Sequence, residues 1–162
     1  MWYAFPGREE STIGALVYRL HHEPKTLNVN RLAAASLQAL HIAAHLDAIE
    51  SVILPNLRGG TTLILDRFWW STWVYGVTSG IEAPVLRALI EAEKAAWGAV
   101  LPSAAFYVGR DRPLSAEDGV SSTALRLGYE KLIEEEKRSY PIHLIANEGT
   151  VEDAVRRISA LL

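Results

Sequence analysis

Residues 61–67 read TTLILDR and contain the clearest strand of the chain. Thr61–Leu65 is β-branched and almost wholly apolar, a pattern typical of a parallel strand that is covered on both faces. Asp66 and Arg67 follow directly and end the strand. Further strands are predicted at 2–5, 104–108 and 142–146, and helices at 12–22, 31–54, 68–76, 83–97, 122–138 and from Thr150 onward. Because strands and helices alternate, we expect an α/β fold, a parallel sheet with flanking helices.

Composition sets broad limits on the function. The 162 residues carry a net charge of −3, with 49% hydrophobic and 22% charged residues, and we expect one soluble domain, 1–162. The negative charge disfavours nucleic acid as a partner. The absence of cysteine excludes disulfides, thiolate zinc sites and cysteine nucleophiles. The N-terminus lacks a signal-peptide pattern, and no stretch approaches the roughly 18 apolar residues of a membrane span, so we expect a cytoplasmic protein without a membrane partner.

Arginines follow several predicted strands at the point where each strand ends. The four strand ends are Phe5–Arg8, Asp66–Arg67, Gly109–Arg112 and Asn147–Glu148, and three of the four carry arginine. Ligands of parallel sheets bind beyond the carboxyl ends of the strands, and the arginine fork suits phosphate oxygens. The residues alone therefore predict a phosphate-handling site, in which Asp66 could hold magnesium or its water. The simpler alternative is a surface ion pair that ends a strand.

Two histidines share one helix face. His41 and His45 lie four residues apart, a spacing that could chelate a metal, but Ile42 follows the first histidine and excludes the zinc-protease pattern. A pair that lines a polar pocket and a pair of surface histidines both remain open.

The aromatic segment FWWSTWVYG, 68–76, is predicted to be mainly packing. Its Tyr75 carries a hydroxyl and is the best candidate for ligand contact. Ser71 has no G-x-S-x-G sequence around it, which excludes a serine hydrolase of that type.

The segment 39–76 resembles thymidylate kinases. That family has a helix with Phe-x-x-x-Arg, a proline near the helix end, a glycine turn, a strand, and Asp-Arg-(Tyr/His)-x-x-Ser-x-x-x-Tyr. Here the last motif is Asp66-Arg67-Phe68, Ser71 and Tyr75. The opening FPGREESTIG, 5–14, also resembles the family's Arg-Glu-Pro-Gly-Gly-Thr loop and following helix start, and LRLGYEKL contains Arg126 and Tyr129 of its Arg-x-x-Tyr helix.

The resemblance implies a P-loop nucleotide kinase fold and an enzyme that transfers phosphate from ATP to a deoxynucleoside monophosphate, dTMP or a related nucleotide, with Mg²⁺. It implies that Arg8 and Arg67 hold the acceptor phosphate, with Asp66 and Arg67 at the catalytic centre and Asp66 near the metal. Ser71 and Tyr75 are then substrate-binding, with Tyr75 under the sugar.

The base site and the lid depart from the family pattern. His41 and His45 fall where the family's phenylalanine and arginine contact thymine, which implies a modified base pocket, and Gly76 replaces a usual glutamine. The lid is short, about 110–121, and keeps Arg110 and Arg112. The family typically forms homodimers through long helices, and the Ala/Leu-rich helix 31–54 is compatible with this.

The phosphate-donor loop is missing from the printed sequence. No G-x-x-x-x-G-K-[ST] occurs, whereas the family carries it after a central first strand, before the Arg-Glu-Pro-Gly loop. We therefore expect strands 61–65 and 104–108 to lack a neighbour between them, and the chain alone to be inactive. Either the chain is N-terminally truncated relative to the family, or the fold closes the gap differently. The alternative function is a non-catalytic module that binds a nucleotide or a partner.

Overall fold

The computed structural model describes residues 1–110 and 119–162. The strands are β1 (Trp2–Ala4), β2 (Ile64–Asp66), β3 (Ala105–Gly109) and β4 (Ile142–Ala146). The helices are α1 (Ile13–His22), α2 (Ala34–Ala48), α3 (Leu54–Arg58), α4 (Trp69–Thr78), α5 (Ala83–Trp97), α6 (Gly119–Glu136) and α7 (Val151–Ser159), with a 3₁₀ turn at Pro24–Leu27 and a π turn at Ile49–Ile53. The α/β class with parallel strands is confirmed.

The described chain forms two compact units, Met1–Gly98 and Ala99–Leu162. The expectation of a single domain stays a prediction. Strands β1 and β2 pair in the first unit, and β3 and β4 pair in the second, so β2 and β3 belong to different sheets. Among the described residues, no strand pairs with both β2 and β3.

The first sheet brings two predicted strand ends together. β1 and β2 are parallel, with Trp2 opposite Ile64 and Ala4 opposite Asp66. The backbone N–H of Phe5 donates to the carbonyl of Asp66 at 3.0 Å and extends this pairing by one residue. The residues that follow the two strands therefore emerge at the same edge of the sheet.

One face of this sheet is buried and the other is open. The core of the unit contains Tyr3 and Phe5 from the β1 segment, packed with Ala48, Ile49, Ile53 and Trp97. On the opposite face the side chains of Trp2 and Ile64 are 64% and 60% exposed. The expectation that TTLIL is covered on both faces is therefore wrong. The strand is also shorter than predicted, because only Ile64–Asp66 pairs with β1.

The long helix continues past residue 54. α2 passes through the π turn into α3, and together they form a 25-residue helical stretch, Ala34–Arg58. The sequence predicts Arg58-Gly59-Gly60 as the stop of this helical segment, and Gly59 is the C-cap of α3. A proline ring crowds the carbonyl one turn back, and the wider π turn lies just before Pro55.

The prediction that no segment approaches a membrane span is wrong for this stretch by length and composition. Within the described ranges, Ala34–Arg58 has the length and apolar composition of a crossing helix. The core helix of a soluble protein meets the same criteria, and this helix contributes Ile49 and Ile53 to the core.

Helices α4 and α5 pack against each other and against α2. α5 covers 83–97 as predicted, with Pro84 in its first turn. Trp69 and Trp70 are buried, which confirms their packing role, whereas Tyr75 is 38% exposed.

The second unit follows its sequence pattern closely. β3 and β4 are parallel over five residue pairs, from Ala105–Ile142 to Gly109–Ala146. Thr150 and Asp153 form a capping box at the start of α7. Arg126 forms an ion pair with Glu130 at 2.8 Å, and the Tyr129 ring lies 5.4 Å from that of Tyr107. Arg110 is exposed; Arg112 and most of the predicted lid lie outside the described residues.

Candidate functional site

A cavity of about 400 Å³ lies in the first unit, a volume within the usual range for small-molecule sites. The elements around it are the loop after β1, helices α1 and α2, the end of β2, and α4. The site residues predicted from this part of the sequence all line it: Arg8, His41, His45, Asp66, Arg67, Ser71 and Tyr75. The structure therefore brings them together, while their roles stay predictions.

We call Arg8, Asp66 and Arg67 the strand-end edge of the cavity. All three residues are exposed and follow or end the paired strands β1 and β2. Each arginine lies over a tyrosine ring. The guanidinium carbon of Arg8 is 4.7 Å from the ring centroid of Tyr18, and that of Arg67 is 5.9 Å from the centroid of Tyr75. Such cation–π contacts orient the two positive groups at the cavity.

The loop that carries Arg8 is held tightly against α1. The Tyr3 hydroxyl donates to the carbonyl of Pro6 at 3.0 Å. A Cβ on Gly14 would lie 2.5 Å from the carbonyl oxygen of Gly7. Gly7 itself has φ of +108°, which favours glycine. The glycines thus permit the close approach that places Arg8 beside the start of α1.

Arg67 has an unusual backbone conformation. Its φ is +80°, a left-handed conformation that costs a non-glycine residue roughly 1–2 kcal/mol. Strain of this kind concentrates at functional sites, where the surrounding structure holds it in place. The conformation lies at the turn from β2 into α4, between Asp66 and the aromatic helix.

We call His21, His22, His41 and His45 the histidine wall of the cavity. His21 and His22 come from the end of α1, and sequence reasoning did not single them out. His41 Nε2 lies 3.4 Å from His21 Nδ1, and the rings of His41 and His45 are 6.4 Å apart. Within residues 1–110 and 119–162, no group of three or more His, Asp or Glu side chains is arranged to hold a metal. The chelating interpretation of the histidine pair therefore gains no support.

The surroundings of His41 disfavour its charged form. The pKa of His41 is lowered from 6.5 to about 4. Burial is the largest cause, and the charges of His45, His21, Arg67 and His22 add to it. His41 is therefore neutral at pH 7. A neutral imidazole offers a flat face and both a donor and an acceptor nitrogen.

His45 has a buried acidic partner that sequence reasoning missed. Its Nδ1 lies 2.6 Å from Oε2 of Glu93, 48 positions further along the chain. Glu93 is fully buried, and the Trp97 indole N–H also donates to it at 3.4 Å. One face of the His45 ring stacks on the Phe5 ring, with 4.3 Å between the ring centroids.

A sequence signal for Glu93 did exist. The buried residues of α5 are Leu86, Ile90, Glu93 and Trp97, which follow the spacing of one apolar helix face. A glutamate on such a face requires a buried partner. The partner itself lies on α2 and could not be identified from local spacing.

Two further polar side chains belong to the cavity wall. Gln38 on α2 and Thr72 on α4 line the cavity and are buried. Buried polar groups in a largely apolar pocket are typical of sites that fix the orientation of a ligand.

Gly76 lies on the side of α4 that packs against α5. A Cβ at this position would lie 2.6 Å from Cδ1 of Leu86, which is fully buried. Gly76 is absent from the residues that line the cavity. A longer side chain at 76 would therefore meet Leu86 in this packing.

The fold is that of the P-loop nucleotide kinases. The crystal structure of thymidylate kinase from Ehrlichia chaffeensis superposes with a TM-score of 0.73, covering 100% of this chain and 81% of that chain at 18% sequence identity. This match confirms the expected fold class.

By sequence, the chain has homologues among the thymidylate kinases over part of its length. It is 32% identical over 92 residues to thymidylate kinase of Pelodictyon phaeoclathratiforme, covering 56% of this chain and 41% of that protein. It is 37% identical over 70 residues to thymidylate kinase of Chlorobium luteolum, covering 43% of this chain and 31% of that protein. The matched segments thus span less than half of these relatives. No family model matches the chain.

Proposed function

We propose that the cavity is the phosphate-acceptor site of a nucleoside monophosphate kinase of the thymidylate kinase type. The observation that carries this proposal is the convergence of the strand-end edge and the histidine wall on one cavity. The positive guanidinium groups of the strand-end edge suit a phosphate, and the flat rings of the histidine wall suit a base. The similarity to thymidylate kinases supports the same function.

Each part of the cavity then has a role. Arg8 and Arg67 hold the 5′-phosphate of a deoxynucleoside monophosphate, dTMP or a related nucleotide. Ser71 and Tyr75 contact the sugar and the phosphate side of the ligand. His41 and His45 form the base wall, where the neutral His41 ring stacks more readily than a hydrated cation would.

Asp66 is suited to a magnesium ion that is shared with the substrates. Among the described residues that line the cavity, Asp66 is the only one with a carboxylate side chain. Mg²⁺ commonly takes one or two protein carboxylates and completes its shell with water and phosphate oxygens, so one aspartate fits this arrangement. When bound, the ion would neutralise charge on the transferring phosphoryl group. Asp66 and Arg67 would hold the acceptor and the ion in position.

The phosphate donor is proposed to be ATP, but the printed 162 residues contain no donor loop. We expect this chain to bind the acceptor and to transfer phosphate negligibly by itself. Loss of the backbone donors and lysine of such a loop removes several kcal/mol of transition-state stabilisation, about 3 kcal/mol or more. Arg110 and Arg112 would act in the lid over the donor phosphates. An ADP-release assay with ATP, Mg²⁺ and dTMP tests this, and measurable turnover by the pure chain would refute it.

The acceptor site is tested by comparing a nucleotide with its nucleoside. Arg67→Ala should weaken dTMP binding by roughly 1.5–3 kcal/mol, about one to two decades in affinity. Thymidine binding should hardly change, because thymidine lacks the phosphate. Arg87→Ala, at an exposed arginine of α5, is the matched control. Isothermal titration calorimetry gives both affinities, and equal losses for dTMP and thymidine would contradict the phosphate role.

The missing donor loop favours a second candidate for this particular chain. A non-catalytic module that binds a nucleotide or a partner would keep the cavity without the transfer activity. The in-frame DNA upstream of Met1 distinguishes the two. If it encodes a strand and a glycine-lysine loop, the extended protein should phosphorylate dTMP; if the extended protein is inactive, the non-catalytic function is favoured. A homodimer in the cytoplasm stays a prediction from the resemblance.

A further inference from the structure

We propose that Glu93 is a positioning residue that keeps His45 as a hydrogen-bond donor toward the cavity, so that the site prefers oxo bases over amino bases. The preferred ligands would carry a carbonyl oxygen where they meet His45, as thymine and uracil do at O4. This inference rests on the proposed function, because it assumes that the cavity takes a nucleotide base.

The orientation of His45 follows from its contacts. Nδ1 faces Glu93 on α5, at 2.6 Å. His45 lines the cavity, but Glu93 does not. The ring nitrogen left for a ligand is therefore Nε2. The stack on Phe5 fixes the plane of the ring, so Nε2 has a defined direction before any ligand arrives.

The charge of the pair follows from burial and distance. The Glu93 side chain is 0% exposed and that of His45 is 5% exposed. A buried carboxylate is very costly unless a positive group compensates it. The Trp97 indole supplies only a long, neutral hydrogen bond of 3.4 Å. A contact of 2.6 Å is as short as, or slightly shorter than, the charge-assisted N–H···O hydrogen bonds of proteins, which favours a pair of imidazolium and carboxylate.

The other charged and titratable groups around His45 are compatible with this pair. His41 precedes it on the same helix, α1 brings His21 and His22, and the end of β2 brings Arg67. In the proposed arrangement a positive His45 lies beside a neutral His41, with Glu93 as the buried counter-charge.

An imidazolium has an N–H at both nitrogens, so Nε2 can only donate. A carbonyl oxygen at the base edge accepts this hydrogen bond. An amino group at the same place, as on cytosine N4, presents a second donor and leaves both groups without a partner. Sites built on such hydrogen bonds discriminate strongly against the wrong group.

The test uses dUMP and dCMP, which differ in the oxygen or amino group at C4 and in the hydrogen that N3 carries in uracil but not in cytosine. The unmodified protein should bind dUMP at least about tenfold more tightly than dCMP. Glu93→Gln keeps an oxygen that accepts from Nδ1–H but removes the negative charge. His45 should then become neutral with Nε2 as an acceptor, and the ratio should fall below about threefold or invert. Glu91→Gln, at an exposed site on the same helix, should leave the ratio unchanged.

A spectroscopic measurement keeps the inference testable if Glu93→Gln does not fold. The ¹⁵N shifts of His45 in the unmodified, ligand-free chain should show both ring nitrogens protonated at pH 7. A neutral pattern would overturn the inference, as would a dUMP-to-dCMP ratio near one or a ratio that Glu93→Gln leaves unchanged. Failure of every monophosphate to bind would overturn the proposed function and the base preference with it, whereas the ¹⁵N pattern would still decide whether the charge pair exists.

Discussion

Two parts of the cavity lining are built in different ways. The strand-end edge consists of exposed residues that end or follow two short paired strands. The histidine wall consists of side chains from two helices, and its innermost member is buried against a glutamate on a third. The position of the strand-end edge follows from chain connectivity, whereas the chemistry of the histidine wall follows from packing between distant segments.

This difference has a physical consequence for mutations. Changes at the strand-end edge should mainly alter ligand binding, because the side chains are exposed and do not support the core. Changes at the wall should alter folding stability and ligand choice together, because His45 and Glu93 are part of the interior. The following predictions test this contrast.

The largest effect is expected at Glu93. Glu93→Ala removes the carboxylate and leaves the buried Nδ1 of His45 without its partner, so the free energy of unfolding should fall by about 3–5 kcal/mol. Glu91→Ala, exposed on the same helix, should change it by less than about 0.5 kcal/mol. Urea denaturation of both variants measures the difference. Similar values for the two variants would show that the wall is not structurally coupled to the core.

The next largest effect concerns His41 and the free energy of unfolding at acidic pH. Its pKa is about 4 in the folded protein against 6.5 ordinarily, so the unfolded chain takes up a proton first as the pH falls. The associated stability is present above pH 6.5 and is lost between about pH 6.5 and 4, in total about 3 kcal/mol. His41→Gln should flatten the dependence of unfolding free energy on pH in this window. An unchanged slope would mean that His41 is not held neutral by the wall.

A third prediction concerns Gly76 on α4 and whether this position has room for a side chain. Gly76→Ala places a Cβ against the buried Leu86 and should destabilise the fold by about 1–3 kcal/mol. Gly59→Ala is a suitable control, because its Cβ would have no neighbour closer than 3.4 Å. Thermal unfolding of the two variants provides the comparison. If Gly76→Ala is as stable as the control, Leu86 can move, and a side chain at 76 could be accommodated.

The smallest expected effect distinguishes the strain in the Arg67 backbone from the contribution of the Arg67 side chain to binding. Because φ is +80°, Arg67→Gly should be more stable than Arg67→Ala by about 1 kcal/mol. Both variants should weaken dTMP binding alike, since both lack the guanidinium. Chemical denaturation gives the stability difference and calorimetry gives the affinities. Equal stability of the two variants would show that the turn after β2 is unstrained.

Local patterns predicted much of the fold. The limits of β4 and α5 were predicted to the residue, with Pro84 marking the first turn of α5, and Thr150 marked the cap of α7. Where a prediction was wrong, a nonlocal feature was the cause. Ile64 is apolar yet exposed because nothing in the described chain covers that face of β2.

The sequence by itself determined which chemical groups meet at the strand-end edge, because strand ends and parallel pairing follow from the order of elements along the chain. It also placed His41 and His45 on one helix face through their spacing. Only the tertiary structure decided that His45 pairs with Glu93 and that Gly76 faces Leu86 rather than the cavity. These contacts join separate helices, and side-chain periodicity within one helix carries no information about which residue a neighbouring helix presents to it.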